Sequence, residues 1–249
     1  MKQILLSGCC GKMGRVVTNI VAGREDCAIA AGIDLHPAEL PYPVFASAAD
    51  CTVKADVIID FSHPSCTCAL LGWAAEQGIP AVICTTGLGE EQLAAVHAAA
   101  ERIPVFFSAN MSLGVNLMAE LCKKAAAVLG SDFDVEIIEK HHNQKIDAPS
   151  GTALMLADAI ASALPHPARY EYDRHSRRQK RDKNEIGIHS VRGGTIVGEH
   201  EVLFAGRDEQ LTITHSAASK EIFAVGAVNA ALFLAQQGKG LYNMGSLVV

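Results

Sequence analysis

Short apolar runs alternate with longer segments of helical periodicity through the first half of the chain. The apolar runs predict strands at 3–7, 27–33, 56–61, 81–84 and 104–107. Helices are predicted at 62–77, 89–101 and 113–130, and around Val16, Val17, Ile20 and Val21. Strands that alternate with helices favour an α/β fold with a doubly wound parallel sheet.

The pattern changes in the second half. Residues 133–139 alternate apolar with acidic side chains, the period of a half-exposed strand, and 151–164 is a predicted helix. Three later segments alternate apolar and polar residues and are predicted as antiparallel strands, with turns at 193–194 and 206–208: 185–190, 195–205 and 210–216. If this sheet leaves an apolar outer face, self-association would cover it.

Two remaining segments complete the predicted organisation. Residues 165–184 are crowded with charge and are predicted as a long solvated loop. The alternative is a flap whose cations help to attract an anionic substrate. Residues 220–236 form a predicted apolar helix, and we expect the tail after it to return to the first domain.

Composition excludes several classes of protein. Of the 249 residues 49% are hydrophobic and 19% charged, so the chain can bury a core and is not disordered. A net charge of −6 argues against a nucleic-acid-binding protein. We find neither a secretory signal nor an apolar run of the roughly 18 to 20 residues that a membrane span needs. We therefore expect a soluble cytoplasmic protein without a membrane or nucleic-acid partner.

The eight cysteines contain no C-x-x-C pair, and none lies in the second half of the chain. In a cytoplasmic protein such cysteines are most often small buried hydrophobic residues. We therefore expect free, buried thiols and no metal site.

A glycine-rich segment follows the first predicted strand and opens the first helix. Gly8, Gly11 and Gly14 have the spacing G-x-x-G-x-x-G, and Asp34 ends the next strand. In this context glycines let the backbone approach a pyrophosphate, and the acidic side chain accepts a hydrogen bond from a ribose hydroxyl. A plain strand–helix turn is the alternative. The ends of the later strands lie on the same edge of the predicted sheet, where polar residues can bind ligand or cap helices.

The stretch from Glu139 to Ala153 holds two adjacent histidines, a lysine and an aspartate before a Pro-Ser-Gly-Thr helix start. Such side chains are rarely buried unless paired, and together they can hold an anion and move a proton. An exposed pair of histidines is one alternative. A metal site from His141, His142 and Asp147 is another, although adjacent histidines in an extended segment point to opposite faces.

These motifs resemble the dihydrodipicolinate reductase (4-hydroxy-tetrahydrodipicolinate reductase) family over the whole chain. The resemblance rests on Gly8-x-x-Gly11-x-Met13-Gly14, Thr85-Thr86-Gly87, the stretch from Glu139 to Ala153, Arg192-Gly193-Gly194 and Gly198-Glu199-His200. It implies a Rossmann-type dinucleotide-binding domain at 1–110 and 221–249. It also implies a smaller α+β domain at 111–220 that binds substrate and forms a homotetramer.

The activity implied by the resemblance is the reduction, with NADH or NADPH, of a small dicarboxylate, 4-hydroxy-tetrahydrodipicolinate, in diaminopimelate and lysine biosynthesis. By the same resemblance His141 is the proton donor and acceptor, and Lys145 is the catalytic proton donor. His142, Gly151 and Thr152 contact the substrate. The implied cofactor contacts are Gly8, Cys9, Cys10, Gly11, Lys12, Met13, Asp34, Cys84, Thr85, Thr86, Ser108, Ala109, Asn110 and Met111.

Three positions depart from the family pattern. Cys84 stands where a glycine is expected, Lys220 where arginine is frequent, and Leu35 where members that accept the 2′-phosphate can place arginine. Asp34 would repel that phosphate and favours NADH, while Lys12 and Arg15 leave NADPH open.

Two other functions compete with this interpretation. One is a different Rossmann oxidoreductase, such as an aldehyde or homoserine dehydrogenase, with Cys84 as the nucleophile. The other is a non-catalytic nucleotide sensor that binds a partner protein and has no use for His141 or Lys145.

Overall fold

The computed structural model describes residues 1–248, in two compact units. One unit comprises Met1–Leu113 and the segment that begins at Glu221, and the other comprises Gly114–Lys220. The strands are β1 (Lys2–Ser7), β2 (Cys27–Ile33), β3 (Val44–Phe45), β4 (Val57–Asp60), β5 (Ala81–Ile83), β6 (Pro104–Phe107), β7 (Asp134–His141), β8 (Arg169–Glu171), β9 (Glu185–Arg192), β10 (Gly198–Ala205), β11 (Gln210–Ala217) and β12 (Gly240–Tyr242). The helices are α1 (Lys12–Ala22), α2 (Pro64–Gln77), α3 (Glu90–Ala100), α4 (Leu113–Leu129), α5 (Gly151–Ala161), α6 (Glu221–Leu234) and α7 (Gly245–Val248).

The first unit is built on a parallel sheet of order β12-β6-β5-β4-β1-β2-β3. Its central strands are fully buried because helices cover both faces, α1 and α6 on one and α2 and α3 on the other. This confirms the predicted doubly wound α/β fold. The strand order reverses between β1 and β4, the place where such sheets bind ligands beyond the strand ends.

Two strands of this sheet were not predicted. β3 has two residues and β12 has three, too few to show a periodic pattern. β12 pairs with β6, so the C-terminal tail joins the edge of the first unit's sheet.

The second unit contains a mixed sheet of order β11-β10-β7-β9-β8. β10 runs antiparallel to both of its neighbours, but β9 pairs parallel with β7 and with β8. The prediction of antiparallel strands is therefore wrong for β9. Alternation of apolar and polar residues reports which face a side chain takes, and carries no information on strand direction.

Helices α4 and α5 cover one face of this mixed sheet, where Val135, Ile137, Ile186, Val202 and Phe204 are buried. The opposite face is rich in charge, with carboxylates from β7, β9 and β10. The condition of an apolar outer face, on which we based an expectation of self-association, is therefore not met. Strand β7 also extends beyond its predicted end to His141.

Residues 165–184 form a largely exposed loop, as predicted, but the loop also contains the short strand β8. Several of its arginines bind carboxylates of the charged sheet face, which the prediction did not include. Arg174 contacts Glu136 at 2.9 Å and Glu185 at 2.6 Å, and Arg181 contacts Glu136 at 3.0 Å. These arginines are paired with carboxylates of their own unit, so the alternative of a flap that attracts an anion would depend on the exposed Arg178, Lys180 and Lys183.

None of the helices among residues 1–248 is long and apolar enough to cross a bilayer.

Two helical glycines give opposite predictions for stability. A Cβ on Gly226 of α6 would lie 1.7 Å from the carbonyl oxygen of Met111, whereas a Cβ on Gly72 of α2 meets no atom within 4 Å. Gly226→Ala should lower the free energy of unfolding by about 1–3 kcal/mol through overpacking. Gly72→Ala should raise it by about 0.5–1 kcal/mol through helix propensity.

Denaturant unfolding followed by circular dichroism measures both changes. Equal stability of the two variants would contradict the close packing of α6 against the segment that carries Met111.

Candidate functional site

The glycine-rich turn between β1 and α1 is tightly folded. Gly8 has a φ of +75°, and a Cβ there would lie 2.5 Å from the carbonyl oxygen of Phe61. A Cβ on Gly14 would lie 2.3 Å from the carbonyl oxygen of Gly8. Both positions therefore require glycine, and α1 begins directly after Gly11, which carries no side chain at the N-cap. The start of α1 is thus open to an anionic group.

Asp34 ties the end of β2 to this turn. Its carboxylate accepts hydrogen bonds from the backbone N–H of Cys10 at 2.9 Å and of His36 at 3.0 Å. It remains partly exposed at the edge of the sheet. An acceptor of this kind beside a glycine-rich turn suits a ribose hydroxyl.

A cleft of about 500 Å³ opens at the carboxyl ends of β1, β2 and β4. Gly8, Gly11 and Asp34, which the sequence predicted, line it. The lining also includes residues that sequence reasoning missed: Ala46, Ser47, Ala48, Ala49, His63, Ser65, Cys66 and Trp73. No motif marks them, since they are ordinary loop and helix residues that the strand order brings to this edge.

Asp60, at the end of β4, is a further residue that the sequence interpretation missed. It is fully buried, and it accepts hydrogen bonds from Thr85 Oγ1 at 2.8 Å and from the N–H of Ser62 at 3.1 Å. Its signal in the sequence is a carboxylate that ends an apolar run. It fixes the Thr85 turn, whose neighbour Thr86 is exposed.

The turn after β6 holds itself in place. Ser108 Oγ donates to the carbonyl oxygen of Asn110 at 3.2 Å, and Asn110 Oδ1 accepts the N–H of Ser112 at 2.9 Å. Ala109 is exposed and Met111 is buried. The predicted cofactor contacts of the first unit thus lie beyond the carboxyl ends of its strands, in the turns there and, for Lys12 and Met13, in the first residues of α1.

Cys84 is unsuited to nucleophilic chemistry. It is 9% exposed and packs in the apolar cluster beneath α6. Burial, reinforced by the charge of Asp60, raises the pKa of its thiol well above the usual value. Because the thiolate is the nucleophile, the dehydrogenase alternative loses its reactive group.

In the second unit, a buried carboxylate organises the end of β7. Glu139 is fully buried; its Oε2 lies 2.6 Å from His141 Nδ1, and its two oxygens accept from Arg192 at 2.6 and 2.8 Å. The N–H of Ser150 donates to it at 3.1 Å. Burial raises the pKa of Glu139, but the hydrogen bonds from Arg192, His141 and Ser150 outweigh burial and lower the pKa to about 2. The group is therefore a carboxylate at neutral pH.

This carboxylate fixes the imidazole of His141. With Nδ1 bound to Glu139, Nε2 is the ring atom left to exchange a proton. A Cβ on residue 198 would lie only 3.1 Å from that Nε2, so Gly198 keeps the space beside it open.

His200 lies against His141, with ring centroids 5.2 Å apart in an edge-on arrangement. Its Nε2 is 3.1 Å from Ser150 Oγ, which also accepts the N–H of Ala153 and so caps α5. Burial, and the charge of His141, lower the pKa of His200 to about 4. His200 is therefore neutral at pH 7.

The segment between β7 and α5 presents the remaining predicted residues. Lys145 Nζ lies 2.7 Å from Asp147 Oδ1, and this bond lowers the pKa of Asp147. Asp147 thus pairs with Lys145, and the residue that caps α5 is Ser150. Gly151 and Thr152 form the first turn of α5.

The metal-site alternative finds no support here. In the part of the chain that the structure describes, His141, His142 and Asp147 do not gather their donor atoms in one cluster. His141 instead directs Nδ1 to Glu139.

The doubly wound sheet and the glycine-rich turn define a Rossmann-type, dinucleotide-dependent oxidoreductase. Family models for the N-terminus and the C-terminus of dihydrodipicolinate reductase match residues 2–111 and 114–248. The chain belongs to the dihydrodipicolinate reductase family, as its motifs predicted.

Relatives and solved structures agree with this assignment. The chain is 51% identical to the 4-hydroxy-tetrahydrodipicolinate reductase of Caldanaerobacter subterraneus, over 100% of this chain and 98% of that one. It is 46% identical to the enzyme of the same name from Clostridium novyi, with the same coverage of both chains. Dipicolinate-bound dihydrodipicolinate reductase from Paenisporosarcina sp. TG-14 superposes with a TM-score of 0.80, at 29% identity and 100% coverage of both chains. A myo-inositol dehydrogenase from Corynebacterium glutamicum, with a TM-score of 0.56 and 16% identity, shares the fold alone.

The lowered pKa of His200 predicts a loss of stability in acid. The unfolded chain binds a proton at this residue near pH 6.5, but the folded chain binds it only near pH 4. The unfolded state is therefore favoured as the pH falls through this window, by about 2 kcal/mol between pH 7 and 5. His200→Gln, which keeps a donor for Ser150, should abolish that part of the loss.

Hydrogen exchange of β7 and β10 at pH 7 and pH 5 measures the effect. Replacement of the exposed His175 by Gln is the matched control and should leave the pH dependence unchanged. An unaltered pH dependence in His200→Gln would show that the buried imidazole is not its source.

Proposed function

We propose that the chain catalyses the NAD(P)H-dependent reduction of 4-hydroxy-tetrahydrodipicolinate to tetrahydrodipicolinate, a step of diaminopimelate and lysine biosynthesis. The observation that carries this proposal is the identity of 51% over the whole chain with a relative of that name. The solved neighbour of the same family is described as dipicolinate-bound, which supports a small dicarboxylate as substrate. The fixed imidazole of His141 adds a proton-exchanging group to this assignment.

The catalytic roles proposed are those of His141 and Lys145. His141 exchanges a proton through Nε2, since Glu139 occupies Nδ1 at 2.6 Å. Lys145, held by Asp147 at 2.7 Å, is the proton donor. Positioned acid–base groups of this kind are worth about 10² to 10⁴ in rate.

The substrate contacts proposed are His142, Gly151 and Thr152. Gly151 and Thr152 lie at the start of α5, where N–H groups and the helix dipole favour a carboxylate. Ser150 Oγ accepts the N–H of Ala153 and so fixes this helix start in place.

The first unit would hold the dinucleotide at the turns already described. The residues fit this group, because the two tight glycines admit no side chain and the adjoining cleft of about 500 Å³ is lined by Asp34. When bound, the reduced nicotinamide supplies the hydride. The proposed contacts are the residues that the resemblance implies: Gly8, Cys9, Cys10, Gly11, Lys12, Met13, Asp34, Cys84, Thr85, Thr86, Ser108, Ala109, Asn110 and Met111.

We propose a preference for NADH. The carboxylate of Asp34 stands where a 2′-phosphate would be repelled, and the neighbouring Leu35 is 67% exposed and offers no cation. Arg15 is bound through Nε to the carbonyl oxygen of Cys10 at 3.1 Å. NADH therefore fits this edge of the cleft better than NADPH.

The organisation proposed follows the family resemblance. Residues 1–110 and 221–249 form the dinucleotide-binding domain, and 111–220 form the substrate-binding domain, which assembles a cytoplasmic homotetramer. A solution mass other than that of four chains, or recovery of the protein outside the cytoplasm, would contradict this part of the proposal.

An assay that couples the cyclic product of pyruvate and aspartate semialdehyde to cofactor oxidation tests the activity. We expect oxidation of both cofactors, with a higher kcat/KM for NADH. Leu35→Arg should shift the ratio towards NADPH by pairing with the phosphate. No oxidation of either cofactor would overturn the proposed function, and a native preference for NADPH would overturn only the assignment of Asp34.

Replacement of His141 or Lys145 by Ala separates catalysis from binding. Each should lower kcat by about 10² to 10⁴, while the Kd for NADH, measured by fluorescence titration, stays unchanged. The exposed Lys183→Ala is the matched control and should retain full activity. A non-catalytic nucleotide sensor would keep its function in both variants, so wild-type turnover in either would favour that alternative.

A further inference from the structure

Two adjacent cysteines in the glycine-rich turn stand next to a carboxylate. The Sγ atoms of Cys9 and Cys10 are 3.9 Å apart. One ligand atom from each of Cys9, Cys10 and Asp34 lies within 4.8 Å of the others. The turn after β1 supplies the two thiols, and the end of β2 supplies the carboxylate, so the fold itself brings these groups together.

The spacing of the thiols matches that of two ligands on one tetrahedral ion. With a zinc–sulfur bond of about 2.3 Å, two sulfurs on the same ion lie about 3.8 Å apart. A carboxylate oxygen completes a three-ligand set, and thiolates select soft or borderline cations over Mg²⁺ or Ca²⁺. Cys10 and Asp34 are partly exposed, which leaves a fourth position open to water.

We propose that Cys9, Cys10 and Asp34 form a binding site for a thiophilic divalent cation of the Zn²⁺ class. This departs from our expectation of no metal site, which rested on the absence of a C-x-x-C pair. The sequence pattern could not show it, because the third ligand comes from another strand.

A disulfide between the two cysteines explains the geometry less well. The Sγ atoms would have to approach from 3.9 Å to about 2.05 Å. Neighbouring Cα atoms are about 3.8 Å apart, below the usual range of about 4.4 to 6.8 Å for a disulfide. An ion bridges the two sulfurs at the separation they already have.

The proton on Cys9 sets the cost of this site. Burial, together with the charges of Cys10 and Asp34, raises the pKa of the Cys9 thiol to about 12. Two further charged or titratable groups lie beside the thiols: Tyr42, whose pKa burial also raises, and Arg15, which donates to the carbonyl oxygen of Cys10. The ion must therefore displace a proton from Cys9 when it binds.

Occupation of the site would affect the proposed function. The three ligands belong to the set proposed to contact the dinucleotide, so the cation and NADH should exclude each other. This consequence rests on the proposed function, whereas binding of the ion does not.

Titration of the metal-free, full-length protein with Cd²⁺ tests the site. Cd²⁺ is the probe because its bonds to thiolates give an ultraviolet charge-transfer absorption. We expect saturation at one equivalent in the wild type, loss of the band in Cys10→Ser, and affinity weakened at least about tenfold in Asp34→Asn. Cys68→Ser, which removes another half-buried thiol of the same unit, is the control and should bind like the wild type.

The outcomes separate the two proposals. Unchanged binding in Cys10→Ser and Asp34→Asn, or no stoichiometric band in the wild type, would overturn the site. Cys10 is partly exposed, so its replacement avoids the risk of unfolding that the buried Cys9 carries, and circular dichroism checks the fold. Cd²⁺ binding in a protein without reductase activity would support the site and reject the proposed function. Reductase activity in a protein that does not bind Cd²⁺ would reject the site and support the function.

Discussion

The buried carboxylate of Glu139 is the interaction on which the second unit's site depends. Removing a carboxylate from water costs several kcal/mol, and the cost is offset only when each oxygen is well bonded. Here Arg192 from β9, His141 from the end of β7 and the N–H of Ser150 at the start of α5 provide those bonds. One charge therefore fixes two strand ends, one helix start and the tautomer of the imidazole. The loop with Lys145 is tied to the same group, since Arg192 also donates to the carbonyl oxygen of Asp147 at 2.7 Å.

The sequence predicted the first unit well because local signals determine it. Strands such as β2 and β6 are continuous apolar runs, as expected for strands covered on both faces, and their predicted bounds agree with the structure. The short β3 and β12 lack any such signal, since they exist through pairing with a neighbour. The parallel direction of β9 was equally out of reach, because it follows from a long connection that returns the chain beside β7. The ion pairs of the charged segment 165–184 were not predicted, because their partners, such as Glu136, lie about 40 residues away in sequence.

The candidate site likewise has a part that the sequence predicted and a part that it did not. The types of residue predicted a proton-exchanging group in His141 and Lys145, and the resemblance to a family supplied their roles. What composition could not provide is the support for them. Glu139 and Arg192 are 53 residues apart, and Ser150 and His200 are 50 apart, so their pairing is visible only once the sheet is formed. The resemblance to the family included Arg192 and His200 among its motifs, but it did not explain what these two residues contact.

Both units use a buried carboxylate to hold a turn at the site in place. Each places a fully buried carboxylate at or near the end of a strand: Asp60 is the last residue of β4, and Glu139 lies two residues before the end of β7. Each carboxylate accepts one hydrogen bond from a backbone N–H and another from a side chain of a different segment. These bonds fix the turn after β4 and the segment between β7 and α5. A turn held this way pays little ordering entropy when a ligand arrives, which is the advantage of a preorganised site. Removing one partner would leave an uncompensated charge in the core, so such groups can be exchanged only together with the residues that satisfy them.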